Sequence, residues 1–442
     1  MFTKALTLQD IPNAFQPRPL YVDELDVYYV PVDHERDAHL SRLVELKKAL
    51  EKQNIKILFA GHRGSGKSTE LNRLKKEIQD KYFIVPFSVS DELDIGDMDY
   101  IDLVMVMMEK LAEAAVSAKL ISENDKLLES IAGWLTDVTE IKSEHTAYQA
   151  EVQAGIKASR GVLGSLLGII AEFKASIRAG TDQKTEYRKK IEPRISLLKA
   201  NCNILINSVE KALHPKGKEL LLLIEDLDKV DPQRIQDIFS KRSGVLSEIN
   251  TKIIYTVSIF SLSTPVLRDM MGRFQIQSLP MVKVNTKEGA ENDAGIDAIH
   301  QIVAKRMDTT LFESDAALRS LILNSGGVLR DLFEMIEVAA NSADYGKSAK
   351  ITSKHIEYAL QRLKTKYHDM ITVTDEKSSG LTTDKLYVKL VEIAESSLKK
   401  FPLDEILLLL LSCLAVVEYN GEQWFDVHPA VKSLLKDMGK VA

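Results

Sequence analysis

The residues best equipped for chemistry form one run, Gly61-His62-Arg63-Gly64-Ser65-Gly66-Lys67-Ser68, with Thr69 following. The spacing is G-x-x-x-x-G-K-[ST]. Its glycines let the backbone approach an anion closely, its N–H groups and a following helix N-terminus cradle phosphate oxygens, Lys67 neutralises β/γ oxygens, and the Ser68 hydroxyl ligates Mg²⁺. A second constellation follows about 150 residues later, where the apolar Leu220–Ile224 run ends in Glu225-Asp226-Leu227-Asp228. Carboxylates at the carboxyl end of a buried strand stand where an α/β sheet keeps its ligand crevice. One acid would hold Mg²⁺ through water and the next would orient or deprotonate an attacking water. Together the two runs suit work on a phosphoanhydride.

Such groups need a sheet to position them. Ile55–Ala60 (IKILFA) reads as a buried strand entering the glycine-rich turn, and Ser68–Gln79 as the helix leaving it. An amphipathic helix over Asp37–Gln53 precedes them, with Leu40, Leu43, Leu46 and Leu50 at helical spacing. Phe83–Val89 predicts a second strand, its Pro86 placing it at a sheet edge. Leu220–Asp226, Lys252–Ser258 and Leu279–Val284 predict three more, so the core is α/β with five parallel strands. From about 120 to 213 the pattern is helical throughout, an insertion within which the charged Arg178–Lys190 stretch reads as a mobile connector. Helices near Ile296–Met307, Ala316–Ser325, Leu329–Ala339 and Ser353–Lys364 predict a bundle. After a Thr/Ser/Asp/Gly linker, two helices, strands on either side of Asn420-Gly421 and a closing helix from His428 predict a winged-helix-like domain. The domains are then 1–54 (linker and helix), 55–285 (core with insertion), 286–371 (helical lid) and 380–442.

With 442 residues, 45% hydrophobic and 28% charged, the chain can bury several cores, and collagen-like or wholly disordered readings fail. The net charge of −6 leaves no whole-chain footprint for nucleic acid. Two cysteines, Cys202 and Cys413, far apart in sequence, exclude a zinc ribbon or disulfide framework and point to a reducing, cytoplasmic compartment. No N-terminal stretch reads as a secretory signal, and the apolar runs Gly161–Ala171 and Ile406–Val417 fall short of the ~20 residues a membrane span needs.

On GHRGSGKST (Gly61–Thr69), LLLLIEDLDK (Leu220–Lys229), IIYTVS (Ile253–Ser258) and SGGVLRD (Ser325–Asp331), the chain resembles the additional-strand (ASCE) branch of P-loop NTPases, and within it the AAA+, STAND and KAP-like ATPases. The resemblance implies an ATP-binding and hydrolysing enzyme with Mg²⁺. It makes Gly61 to Thr69 the nucleotide loop (Walker A), Glu225 the metal-side acid beside Ser68, Asp226 the catalytic acid (Walker B) and Asp228 the end of the motif. The family has aspartate where Glu225 stands, which leaves open whether Asp226 takes the metal instead. Ser258, or Thr256, falls at the sensor 1 position and Arg330 at sensor 2; Arg63, Arg242 and Arg273 are candidate further arginines. The insertion reads as a partner-binding or oligomerising arm, with reversible membrane-surface contact as a minor option. What the resemblance implies for function is a nucleotide-dependent switch or remodeller that controls assembly or an effector protein, in a setting of bacterial antiviral defence. The alternative is a DNA-acting initiator-type ATPase using the winged helix, which the seven lysines against nine acids in Leu381–Ala442 do not favour. Trp424 is then core or a protein-interface anchor.

Overall fold

The computed structural model describes residues 3–33, 41–140, 161–179, 182–241, 243–259, 270, 272–372, 382–419 and 424–441. They form two compact units. One comprises Lys47–Ala60 and Lys75–Gln277, the other Met1–Leu46, Gly61–Leu74 and Ser278–Ala442.

The first of these is built on a sheet of five strands: β1 (Lys56–Gly61), β2 (Tyr82–Ser88), β3 (Glu219–Glu225), β4 (Lys252–Ser258) and β5 (Gln275–Leu279), in the order β2-β3-β4-β1-β5. β2 runs parallel to β3 from Tyr82↔Glu219 to Ser88↔Glu225, and β3 runs parallel to β4 from Leu221↔Lys252 to Ile224↔Tyr255. Residues 220–224 and all of β4 are buried, as near-continuous apolar central strands should be. β2 stands at the edge, as Pro86 predicts, and the exposed Pro86 withholds no ladder hydrogen bond from an inner strand.

β5 corrects the sequence reading. The strand is Gln275–Leu279 and not Leu279–Val284, because Pro280 ends it while the polar Gln275, Gln277 and Ser278 disguise it. The apolar Met281, Val282 and Val284 are buried outside any strand. The helix expected over Asp37–Gln53 covers Arg42–Ala49; residues 34–40 lie outside the described residues, and the chain turns after Ala49.

The insertion is helical, as expected, with helices Lys126–Thr139, Val162–Arg178, Asp182–Ile191 and Ile195–Leu213. It is not an arm. Leu128, Leu166, Ile169, Phe173, Leu198 and Leu205 belong to the same buried cluster as Leu58, Leu222 and Tyr255 of the sheet, and the Met-rich helix Tyr100–Ser117 joins them. Within the apolar Gly161–Ala171 run, Leu163, Leu166, Ile169 and Ile170 are core. Nor is Arg178–Lys190 a connector: 182–191 is helix, pinned where Arg188 Nε donates to Asp102 Oδ1 at 3.1 Å and Lys184 pairs with Asp97. Burial pushes the Asp102 carboxyl up to about 6 even with that guanidinium beside it.

In the second unit, helices Asp293–Arg306, Asp315–Asn324, Leu329–Tyr345 and Ser353–Ile371 form the expected bundle. Residues 5–15 pack into it: Ala5, Ile11, Ala14 and Phe15 are fully buried, and Phe15 meets Phe333 edge to face at 5.2 Å. The C-terminal residues supply helices Thr383–Glu395 and Glu405–Ser412, an antiparallel pair β6 (Val416–Tyr419) and β7 (Trp424–Val427), and helix Pro429–Asp437. The expected Asn420-Gly421 turn lies outside the described residues. Trp424 is core, stacked on Tyr419 at 4.6 Å. Among the described residues, no helix is long and apolar enough to cross a membrane.

Candidate functional site

The loop that follows β1 is shaped by its glycines. Gly64 (φ +83°) and Gly66 (φ +95°) occupy left-handed backbone that other residues rarely adopt. A Cβ on Gly61 would stand 2.8 Å from Leu279 O and 2.8 Å from Ser65 Oγ. Ser65 N donates back to His62 O at 3.2 Å, and the chain enters the twelve-residue helix Lys67–Ile78, whose N-terminus carries partial positive charge. Lys67 is buried, its ammonium donating to Gly61 O and His62 O at 3.0 Å each. Ser68 is half-buried at the first turn, Arg63 is exposed, and Thr69 Oγ1 accepts from Leu20 N at 3.2 Å.

Two further elements of this unit close on the loop. Gly326 and Gly327 turn in left-handed backbone ahead of helix Leu329–Tyr345, and a Cβ on Gly327 would lie 1.9 Å from Val282 O. That turn sets Arg330 over the loop, its Cβ 3.4 Å and its Nε 4.0 Å from where a Gly64 Cβ would stand. On another side, the buried His62 ring accepts from the Glu418 N–H of β6 at 2.9 Å through Nε2. Burial, and then the Lys67 charge, lower its pKa to about 3, so the ring is neutral and its proton sits on Nδ1.

The acidic strand end belongs to the sheet unit. Glu225 closes β3 and pairs with Lys75 at 3.1 Å. Asp226 follows in left-handed backbone (φ +70°), a conformation aspartate tolerates better than most side chains, and its N–H donates to Thr256 Oγ1 at 2.9 Å. Its Oδ2 accepts from Ser88 Oγ at 2.6 Å and Ser90 Oγ at 2.9 Å and pairs with Lys229 at 3.0 Å. Burial opposes ionisation, yet the Ser88, Lys229 and Ser90 hydrogen bonds and the Lys229 charge hold the carboxyl below the ordinary aspartate value. Such a group stays ionised at neutral pH and suits orienting a water or cation more than removing a proton. Ser258, two residues beyond Thr256 on the same face of β4, is fully buried, and its Oγ finds no hydrogen-bond partner among the described residues.

Lys75, Ser88, Ser90 and Lys229 escaped the sequence reading, although β2 and β3 both end at this edge and a polar Ser-x-Ser after an apolar strand is a readable signal. Arg242 lies outside the described residues; Arg273 donates to Ser243 Oγ within the sheet unit. Among the described residues no group of three or more His, Cys, Asp and Glu could by itself hold a metal ion, so a cation here would draw on hydroxyl and phosphate oxygens as well.

Residues 37–255, just under half of the chain, match the model of the KAP family P-loop domain. Cdc6p from Pyrobaculum aerophilum is a similar solved structure, 11% identical, spanning 96% of this chain and 98% of its own at TM-score 0.37. Aeropyrum pernix ORC1, solved in complex with DNA, spans 93% of each chain at 11% identity and TM-score 0.35. ORC2 of the same organism, solved in ADPNP-ADP complexes, spans 96% and 98% at 11% and 0.35. No curated protein matches in sequence. The loop motif, the strand order and the match over residues 37–255 agree in giving a P-loop NTPase fold.

Proposed function

We propose that the chain binds and hydrolyses ATP and uses the cycle as a switch that controls its own assembly or a partner effector protein. The observation that carries this reading is the Gly61–Ser68 loop, with Gly64 and Gly66 in left-handed backbone, Lys67 buried beneath it and Arg330 over it. In this reading the loop N–H groups hold the phosphates, Lys67 neutralises the β/γ oxygens and Arg330 reads the γ-phosphate from the lid. Mg²⁺ would be held at the Ser68 hydroxyl, with Glu225 or Asp226 as the carboxylate that the family pattern would give it, and would supply neutralising charge to the phosphates. By the same family pattern Asp226 would orient the attacking water, and Ser258, whose buried hydroxyl has no hydrogen-bond partner among the described residues, stands at the sensor 1 position. Glu225 pairs with Lys75 and Asp226 with Lys229, so the ion pairs favour neither acid as the cation's ligand. The KAP match supports the bacterial-defence setting, which rests on family analogy. A DNA-acting role is less favoured: the C-terminal residues are net acidic and β6 and β7 are buried throughout.

Lys67→Ala is expected to abolish ATP binding in a calorimetric titration. Asp226→Asn, which keeps the left-handed tolerance of Asp226, should bind ATP and lose about 10²-fold or more in turnover. Wild-type affinity in the Lys67 variant would refute the assignment of the loop.

A further inference from the structure

We infer that β6 and β7 form a sensor of the phosphate-binding loop, with His62 as the residue that couples them. The inference rests on the reading of that loop as a nucleotide site and adds a route by which its occupancy reaches the C-terminal residues.

In the β6–β7 pair, Glu418 stands opposite Phe425, and both N–H groups point out of the hairpin: Phe425 N donates to Lys399 O at 2.8 Å and Glu418 N to His62 Nε2 at 2.9 Å. A buried strand N–H must find an acceptor. The acceptor here is a side chain of the phosphate loop, and only a neutral imidazole can play that part. The same residue is held at its other end, because Lys67 donates to His62 O. A β/γ-phosphate bound by the loop would compete for that ammonium. Occupancy therefore loosens His62 at its carbonyl, and the strain passes to the bond at its ring.

A second path reaches the same hairpin. Arg330 lies over Gly64, and its helix is preceded by Gly326, whose carbonyl accepts from Tyr419 Oη at 2.8 Å. His428, which follows β7, bonds Ser325 O at 2.9 Å. Met281, Val328, Val417, Tyr419 and Trp424 fill the space between as one apolar cluster. Loop, lid turn and hairpin thus close a ring of contacts, so that a change at the loop cannot leave the hairpin untouched. By linkage, whatever pulls on the hairpin must change nucleotide affinity by the same factor.

The test is site-resolved amide exchange on the full chain, with and without Mg²⁺ and a slowly hydrolysed ATP analogue, paired with a titration of the analogue. In the wild type, the analogue should speed exchange at the Glu418 amide about fivefold or more. In His62→Ala, that amide should exchange about tenfold faster without nucleotide and show no further change on adding it, while the analogue binds about fivefold tighter. His62→Gln, which offers an acceptor oxygen at similar reach, should restore the dependence and so separates coupling from a general loss of folding. Exchange at Glu418 that responds equally in wild type and His62→Ala, with binding intact, would overturn the coupling alone. Failure of the wild type to bind the analogue would overturn the nucleotide reading, and this inference with it.

Discussion

Glu418 is a carboxyl placed where charge is costly. It is 8% exposed, and burial raises its pKa from 4.5 to about 7. Its titratable neighbour from the phosphate loop, His62, is neutral throughout this range and offers no counter-charge. The folded state therefore binds the Glu418 proton more tightly than the unfolded chain does. Stability from this group is full below about pH 4.5 and is lost as pH rises to about 7, by at most about 3 kcal/mol. Glu418→Gln should flatten the fall in stability between pH 5 and 8. Trp424, in the opposite strand, reports the transition by fluorescence once Trp134, the other tryptophan in the sequence, is replaced by phenylalanine. An unchanged slope would show that other groups govern that window. Asp226 shows how far such detail could be read in advance. Its candidacy was legible from a run of leucines ending in acids, but its left-handed backbone and its grip on Ser88 and Ser90 were not, since they depend on the register of β2 against β3.

At the scale of elements, the sequence was clearest where one physical demand acted alone. Buried parallel strands must be apolar, and β3 and β4 appear within a residue of their expected ends. Pro86 announced an edge. The reading failed where tertiary pairing overrode local character, as in helix Asp182–Ile191, so polar that it resembled a linker. Its cations are what fix it, through Arg188 on the fully buried Asp102 and Lys184 on Asp97. Removing one partner of such a pair leaves a buried charge uncompensated, which costs about 3–5 kcal/mol. Arg188→Ala should lower the urea midpoint of the sheet unit accordingly, followed through Trp134 in a Trp424→Phe background. A loss within about 0.5 kcal/mol would return this helix to the status of a surface decoration.

The whole molecule divides in a way no hydropathy pattern announces. Each unit is assembled from separated stretches of sequence, and the phosphate-loop residues Gly61–Leu74 are counted with residues beyond Ser278, not with the strand that leads into them. Composition shifts could suggest linear domains only, because they are blind to pairings between distant positions. If the nucleotide cycle drives assembly, light scattering should give a larger molar mass with Mg²⁺ and a slowly hydrolysed ATP analogue than with ADP or no nucleotide. One mass in all three conditions would assign the output to a partner protein or to a lid movement within the chain. The bond from Glu418 to His62 also bears on how the protein is made. It joins positions 356 residues apart. At about 5–20 residues per second, the loop leaves the ribosome tens of seconds before the strand that completes its surroundings exists. A nascent chain therefore carries its glycine-rich loop long before that loop has its finished setting.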